Sequence, residues 1–164
     1  PAEGVAIKES PRLLEIGRAE VIRNFANTGG RKVALFGLGN LQSLARETGE
    51  RLVAEGCDVA LINPRFAKPL DAGVHEFFGR AADAVVTFED HAIPGGYGSA
   101  VMEHFAEKGI PTPVARIGWP DQFIEHATTV NELRSKYGLT VEHAVALAKA
   151  APKMPSTARL SVVA

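Results

Sequence analysis

The densest chemistry in the 164-residue chain is Glu89-Asp90-His91, two carboxylates and an imidazole in succession. Such a run can hold a metal or move a proton only if further ligands converge on it with supporting partners. The other histidines, His75, His104, His126 and His143, stand singly, and neither an HExxH pattern nor a paired Cys/His spacing joins them. Ser99, His91 and Asp121 are the residue types of a hydrolytic triad, yet Ser99 lacks the Gly-x-Ser-x-Gly elbow that exposes such a nucleophile. Neither a metal centre nor a triad is expected here.

Two glycine-rich segments could carry binding instead. Gly37-Leu38-Gly39-Asn40 sits where a dinucleotide fingerprint would, but position 42 is Gln42, and Asn63-Pro64-Arg65 occupies the place of the acidic ribose partner. A tight turn using glycine at positive φ is the simpler reading. In Pro94-Gly95-Gly96-Tyr97-Gly98-Ser99, successive N–H groups at a helix start could hold a phosphate or carboxylate. The Lys-Ser/Thr ending of a P-loop is missing, and the glycines could simply let the loop fold closely over the strand ends, with Ser99 capping the helix or in its first turn. Arg65-Phe66-Ala67-Lys68-Pro69-Leu70-Asp71 places two cations near the carboxyl edge of the sheet. Arg65, Lys68, Gly95, Gly96 and Ser99 are therefore the candidate anion or inter-domain contacts, with pairing of Arg65 to a neighbouring domain's carboxylate the favoured role. Trp119 and Phe123 in Gly118-Trp119-Pro120-Asp121-Gln122-Phe123 are candidates for packing or an interface. Cys57, before an apolar run, reads as a small core residue.

Four aliphatic runs, at 33–36, 59–62, 84–88 and 113–117, lack polar alternation, as strands covered on both faces do. A further edge strand is expected at 19–23, before the Asn27-Thr28-Gly29-Gly30 turn. Helical stretches separate the main strands. One spans 41–55, with Asn40 as its cap and Gly56 as its stop. A second spans 71–82, capped by Asp71, with Val74, Phe77 and Phe78 as its apolar stripe. The third spans 97–108 and stops at Lys108-Gly109. Thr129-Val130-Asn131-Glu132 is a capping box opening a helix that ends at Tyr137-Gly138, and Thr140 caps the last helix, 141–150, with Val141, Ala144, Val145 and Ala148 facing inward. The spacing of βα units predicts one α/β domain over 1–150 with a mostly parallel sheet, and a loosely held tail over 151–164.

Composition narrows the function classes. Apolar types make up 46% and charged types 23%, with a formal charge of −1, so nucleic acid and membrane surfaces are not expected partners. The single cysteine fits a reducing compartment. The chain opens at Pro1 with neither methionine nor a cleavable leader, which leads us to expect a piece of a longer polypeptide.

Taken in order, Leu14-Glu15-Ile16-Gly17-Arg18-Ala19-Glu20-Val21, Val33-Ala34-Leu35-Phe36-Gly37-Leu38-Gly39 and Arg65-Phe66-Ala67-Lys68-Pro69-Leu70-Asp71 resemble the C-terminal domain of the 1-deoxy-D-xylulose-5-phosphate synthases. These are transketolase-like, thiamine-diphosphate-dependent enzymes. Thr87-Phe88-Glu89-Asp90, Gly95-Gly96-Tyr97-Gly98-Ser99 and Ile117-Gly118-Trp119-Pro120-Asp121-Gln122-Phe123-Ile124-Glu125-His126 continue the resemblance. Asp90-His91, Trp119 and Ala127 depart from the family's usual residues. The resemblance implies a three-layer α/β/α domain with a five-stranded, mostly parallel sheet and one antiparallel edge strand. It implies a cytoplasmic, dimeric parent enzyme that condenses pyruvate with glyceraldehyde 3-phosphate, releasing carbon dioxide, in non-mevalonate isoprenoid synthesis. Thiamine diphosphate and magnesium would bind in the preceding domains of the same polypeptide, whose Gly-Asp-Gly…Asn motif has no counterpart here. The implied catalytic, cofactor and metal residues of this chain are thus none, and its role is to support those domains and the dimer. The alternatives are a self-standing or regulatory small-anion-binding module, and the corresponding domain of a 2-oxoacid dehydrogenase β-chain.

Overall fold

The computed structural model describes residues 13–126 and 128–152. Its strands are β1 (Glu20–Arg23), β2 (Lys32–Gly37), β3 (Asp58–Asn63), β4 (Ala84–Ala92) and β5 (Val114–Trp119). They form one sheet in the order β1-β3-β2-β4-β5, in which β1 runs antiparallel to β3 and every other pair is parallel. The helices are α1 (Gln42–Ala54), α2 (Ala72–Ala81), α3 (Tyr97–Glu107), α4 (Val130–Lys136) and α5 (Val141–Ala150).

Strand residues alternate between two cores, which is why no polar alternation shows in the sequence. Val33, Leu35, Val59, Leu61 and Phe88 pack under α1 and α5, where Ala45, Leu52, Ala144 and Ala148 are buried. On the opposite face Ala34, Phe36, Ala60, Ile62 and Val85 meet Phe78 of α2 and Val101 and Phe105 of α3. This is the three-layer α/β/α architecture. Buried carboxylates close the far end of the sheet: Asp58 accepts the N–H groups of Ala26 and Asn27, and Asp83 accepts that of Lys32.

Local signals account for most boundaries. Asp71 accepts the Val74 N–H at the start of α2, the Thr129–Glu132 capping box is formed at α4, and Thr140 accepts the His143 N–H at α5. Three expectations need correction. Asn40 does not cap α1; a 3-10 turn (Gly39–Leu41) comes first and Leu41 takes the cap position without a side-chain bond. The Asn40 amide is instead drawn to Asp90, donating to its Oδ2 at 2.5 Å. Phe77 is not part of the buried stripe of α2: it is 59% exposed and lies edge-on against Phe78, while His75 turns inward. The third main strand continues past Phe88 to Ala92, so Glu89 lies within β4. Of the tail expected to be loose, residues 153–164 lie outside the described residues.

The two phenylalanine environments set a test. Phe105 is 2% exposed and its ring packs directly on Gly79, where an added Cβ would stand 2.5 Å from Cζ. Phe105→Ala should cost about 3–5 kcal/mol in urea unfolding, as for other buried aromatics. Phe77→Ala should stay within about 0.5 kcal/mol of the parent.

Candidate functional site

Strands β2, β3 and β4 all end at one edge of the sheet, the usual location of crevices in parallel α/β folds. There a cleft of about 480 Å³ opens between the Leu38-Gly39-Asn40 turn, the Ala67-Lys68 loop and the Gly95-Gly96 entry to α3, with Glu89 among its lining residues. Its walls are mainly apolar, from Leu38, Ala67, Tyr97 and Ala100.

Glu89 is fully buried. Its Oε1 accepts the Gly98 N–H of the first turn of α3 at 2.9 Å, and its Oε2 has no hydrogen-bond partner. Burial raises its pKa above the ordinary carboxylate value, against the lowering pull of the Gly98 and Tyr97 N–H groups. The surrounding glycines make the room this carboxylate needs. A Cβ on Gly96 would stand 2.1 Å from Glu89 Oε2 and 2.6 Å from the Ala92 carbonyl oxygen, and one on Gly118 would lie 3.1 Å from Glu89 Cγ. The carboxylate at this helix start is therefore the chain's own side chain.

Asp90, next along, ties three elements together. It accepts the Trp119 indole N–H at 2.5 Å and the Asn40 amide, and Arg134 of α4 approaches to 3.9 Å. Burial pushes its pKa up, but the bonds from Asn40 and Trp119 outweigh it and the net shift is downward. The Trp119 ring packs edge-on against Tyr137, with centroids 5.9 Å apart.

Beneath the cleft, Tyr97 and His75 join α3 to α2. His75 Nδ1 lies 2.7 Å from the Asp71 carbonyl oxygen, and its Nε2 lies 2.8 Å from the Tyr97 hydroxyl. A carbonyl only accepts, so Nδ1 carries the proton and Nε2 accepts from Tyr97. Burial lowers the His75 pKa and holds that of Tyr97 well above the phenol value. Both are neutral structural groups at pH 7.

The candidate residues divide. Lys68, Gly95 and Gly96 line one cleft. Arg65 pairs with Glu20 of β1 at 3.0 Å. The Ser99 hydroxyl donates to the Ile93 carbonyl and accepts from Arg116 Nη1 at 3.0 Å. Trp119 is packed within the domain, whereas Phe123 is 102% exposed. The segment entering the domain also reaches this edge: the Ala19 N–H donates to Asp71 Oδ2, and a Cβ on Gly17 would meet Pro69 Cγ at 2.9 Å. Leu13, Leu14 and Ile16 on that segment are exposed. Sequence reasoning weighed Glu89 only within the Glu89-Asp90-His91 run, set its metal and acid–base roles aside, and missed its place under the glycines. A charged residue closing the apolar run Val85-Val86-Thr87-Phe88, six residues before a Gly-Gly helix entry, was the signal available.

The residues present do not fit a diphosphate with its metal. The N–H donors at the glycine-rich helix start face Glu89, whose charge would repel phosphate. No group of three or more His, Cys, Asp or Glu side chains among the described residues could hold a metal ion. Nor, among the described residues, is any helix long and apolar enough to cross a membrane.

Fold and edge together define a domain of the transketolase C-terminal type. Residues 24–144 match the model of the transketolase C-terminal domain, and the chain belongs to that family. It is 50% identical over 142 residues to the 1-deoxy-D-xylulose-5-phosphate synthase of Methylacidiphilum infernorum, covering 87% of this chain and 22% of that protein. The corresponding synthase of Acidobacterium capsulatum is 44% identical over 159 residues, 97% of this chain and 24% of that protein. The chain thus spans less than a quarter of the length of these relatives. A solved structure described as a split-gene transketolase, inactive beta4 tetramer, aligns with a TM-score of 0.74 at 35% identity, over 84% of this chain and 43% of that one.

The two buried titratable groups give opposite pH signatures. His75, held below its ordinary 6.5, favours the folded state above that pH, and its contribution is lost as pH falls from 6.5 towards the depressed folded value. Glu89, held above its ordinary 4.5, contributes below that pH and loses its contribution as pH rises through the raised folded value. Urea midpoints measured across pH 4 to 8 should show the acid-side loss shrinking in His75→Gln and the alkaline-side loss shrinking in Glu89→Gln. Unchanged profiles in both variants would contradict these assignments.

Proposed function

We propose that this chain is the C-terminal domain of a 1-deoxy-D-xylulose-5-phosphate synthase and that it performs no chemistry itself. In this reading the parent is a cytoplasmic transferase that condenses pyruvate with glyceraldehyde 3-phosphate and releases carbon dioxide. Thiamine diphosphate and magnesium sit in the preceding domains. The domain packs on those domains and supports a homodimer. The observation that carries the reading is the identity of 44–50% to the synthases over nearly the whole chain but under a quarter of their length. The geometry is consistent with it: the edge carries an entering segment with exposed Leu13, Leu14 and Ile16, together with Phe123. Residues 1–150 form the packing unit of this reading, and 151–164 a tail.

The competing anion-binding reading finds Lys68, Gly95 and Gly96 together, but Arg65 and Ser99 already have partners within the domain. The test is enzymatic. The isolated chain with thiamine diphosphate, magnesium and pyruvate should release no carbon dioxide above a protein-free control, whereas a polypeptide extended through the preceding domains should turn over. Decarboxylation by the isolated chain would refute the non-catalytic role.

A further inference from the structure

We infer that the edge cleft receives the side chain of a lysine or arginine from the polypeptide on which this domain packs, its alkyl stem along the apolar walls and its cationic head over Glu89. The inference rests on the domain reading above and names what that docking face recognises.

Three observations converge. The cleft, of about 480 Å³, has the volume to hold a side chain and is walled by Leu38, Ala67, Tyr97 and Ala100. A flexible cation with a methylene stem matches such a surface, since Lys and Arg bury the stem and direct the charge to a polar end. At the floor, Glu89 is a fully buried carboxyl whose Oε2 has no partner, while Oε1 is held by the Gly98 N–H. A carboxylate oxygen left without a donor is costly, so a donor brought by a partner is favoured there. Asp90 adds negative potential beside it, whereas the cations lining the cleft are confined to exposed Lys68 and, when protonated, exposed His91. The third observation concerns the occupant's source. The entering segment is fastened at Ala19 and Gly17 to Asp71 and Pro69, directly after Lys68 in the cleft wall. The entering segment, with its exposed Leu13, Leu14 and Ile16, therefore runs beside the cleft wall.

The cover over Oε2 is the Gly95-Gly96 backbone, and Gly95 is exposed at φ +72°. A side chain at residue 96 would collide with the carboxyl, so only glycine lets the backbone lie this close to Oε2.

The experiment uses n-butylguanidinium and n-butylammonium as side-chain probes on the isolated chain, followed through the amide NMR signals of Gly95, Gly96, Tyr97 and Gly98. Inorganic phosphate and butyrate serve as anionic comparisons. At least one cation should shift these amides saturably in the millimolar range. Glu89→Gln, which retains an acceptor for Gly98, should weaken binding at least tenfold with the remaining spectrum unchanged, and Lys68→Met should leave binding intact or strengthen it. Absence of cation binding, binding undiminished in Glu89→Gln, or phosphate binding at the same amides that is lost in Lys68→Met would overturn the inference. A second arm supplies the preceding domains as a separate chain and measures association with wild-type and Glu89→Gln protein. Association weakened at least tenfold by the variant supports the inference. Association indifferent to the variant overturns it and leaves the domain reading standing. No association at all, with probe binding at Glu89 retained, overturns the domain reading and with it the source of the cation assigned here.

Discussion

The carboxyl of Glu89 at the start of α3 is the constraint around which this edge of the domain is arranged. A buried carboxylate survives only where donors meet it, and the first turn of a helix offers unpaired N–H groups together with a favourable dipole. Bringing the backbone close enough removes side chains from its path: Gly96 and Gly118 both sit where a Cβ would crowd Glu89. The extension of β4 to Ala92 keeps Glu89 on the sheet, so one interaction fixes where α3 begins and how closely β5 approaches. Leaving Oε2 unpartnered costs roughly 1–3 kcal/mol for a neutral group and more for a charged one. Burial accordingly shifts the group towards its protonated form.

The two helical layers are built differently. Under α1 and α5 the interior is mainly apolar; its polar groups include the Thr48 hydroxyl, which donates to the Leu44 carbonyl within its own helix, and the buried Gln42 amide. Under α2 and α3 a polar relay runs from the Asp71 carbonyl through His75 to the Tyr97 hydroxyl, with the His75 ring stacked on Phe36 at 4.8 Å. That relay locks the register of α2 against α3, and with it the loop containing Lys68 against the loop containing Gly95. The opposite wall is held by Asp90, which links the turn after β2 to the end of β5. The cleft therefore stands between two rigid hydrogen-bonded supports, both anchored on the sheet.

Much of this architecture was legible from residue types. The βα spacing, the capping residues Asp71, Thr129 and Thr140, and the stops at Gly56, Gly109 and Gly138 act over a few residues, and their local energetics decide the outcome. The antiparallel placement of β1 came from family resemblance, because a four-residue edge strand carries no directional signal of its own. What escaped were choices settled by distant partners. Asn40 is an apt cap by type, but Asp90, fifty residues away, takes its amide. Phe77 is more apolar than His75, but only His75 can satisfy the Tyr97 hydroxyl and the Asp71 carbonyl while filling the space beside Phe36. At the cleft, Lys68, Gly95 and Gly96 were legible as neighbours because parallel strands deliver their following loops to one edge. The prior pairings of Arg65 and Ser99 were not, since each depends on a residue of another strand.

A glycine-rich helix entry is commonly a cradle for phosphate, and the sequence here invites that comparison. The decisive difference is the residue beneath it. Where the floor is backbone alone, the helix N-terminus presents net positive potential to an incoming group. Where a glutamate already accepts from that turn, the same glycines surround a negative centre, and the preferred occupant changes sign. The rim points the same way, because Arg65 is paired with Glu20 and the cleft lining holds one lysine and no arginine. Apolar walls over an acidic floor suit the side chain of a packed neighbour better than a soluble phosphate. In the proposed reading, the chemistry of this edge is that of adhesion between parts of a larger protein, built from a motif that elsewhere holds phosphate.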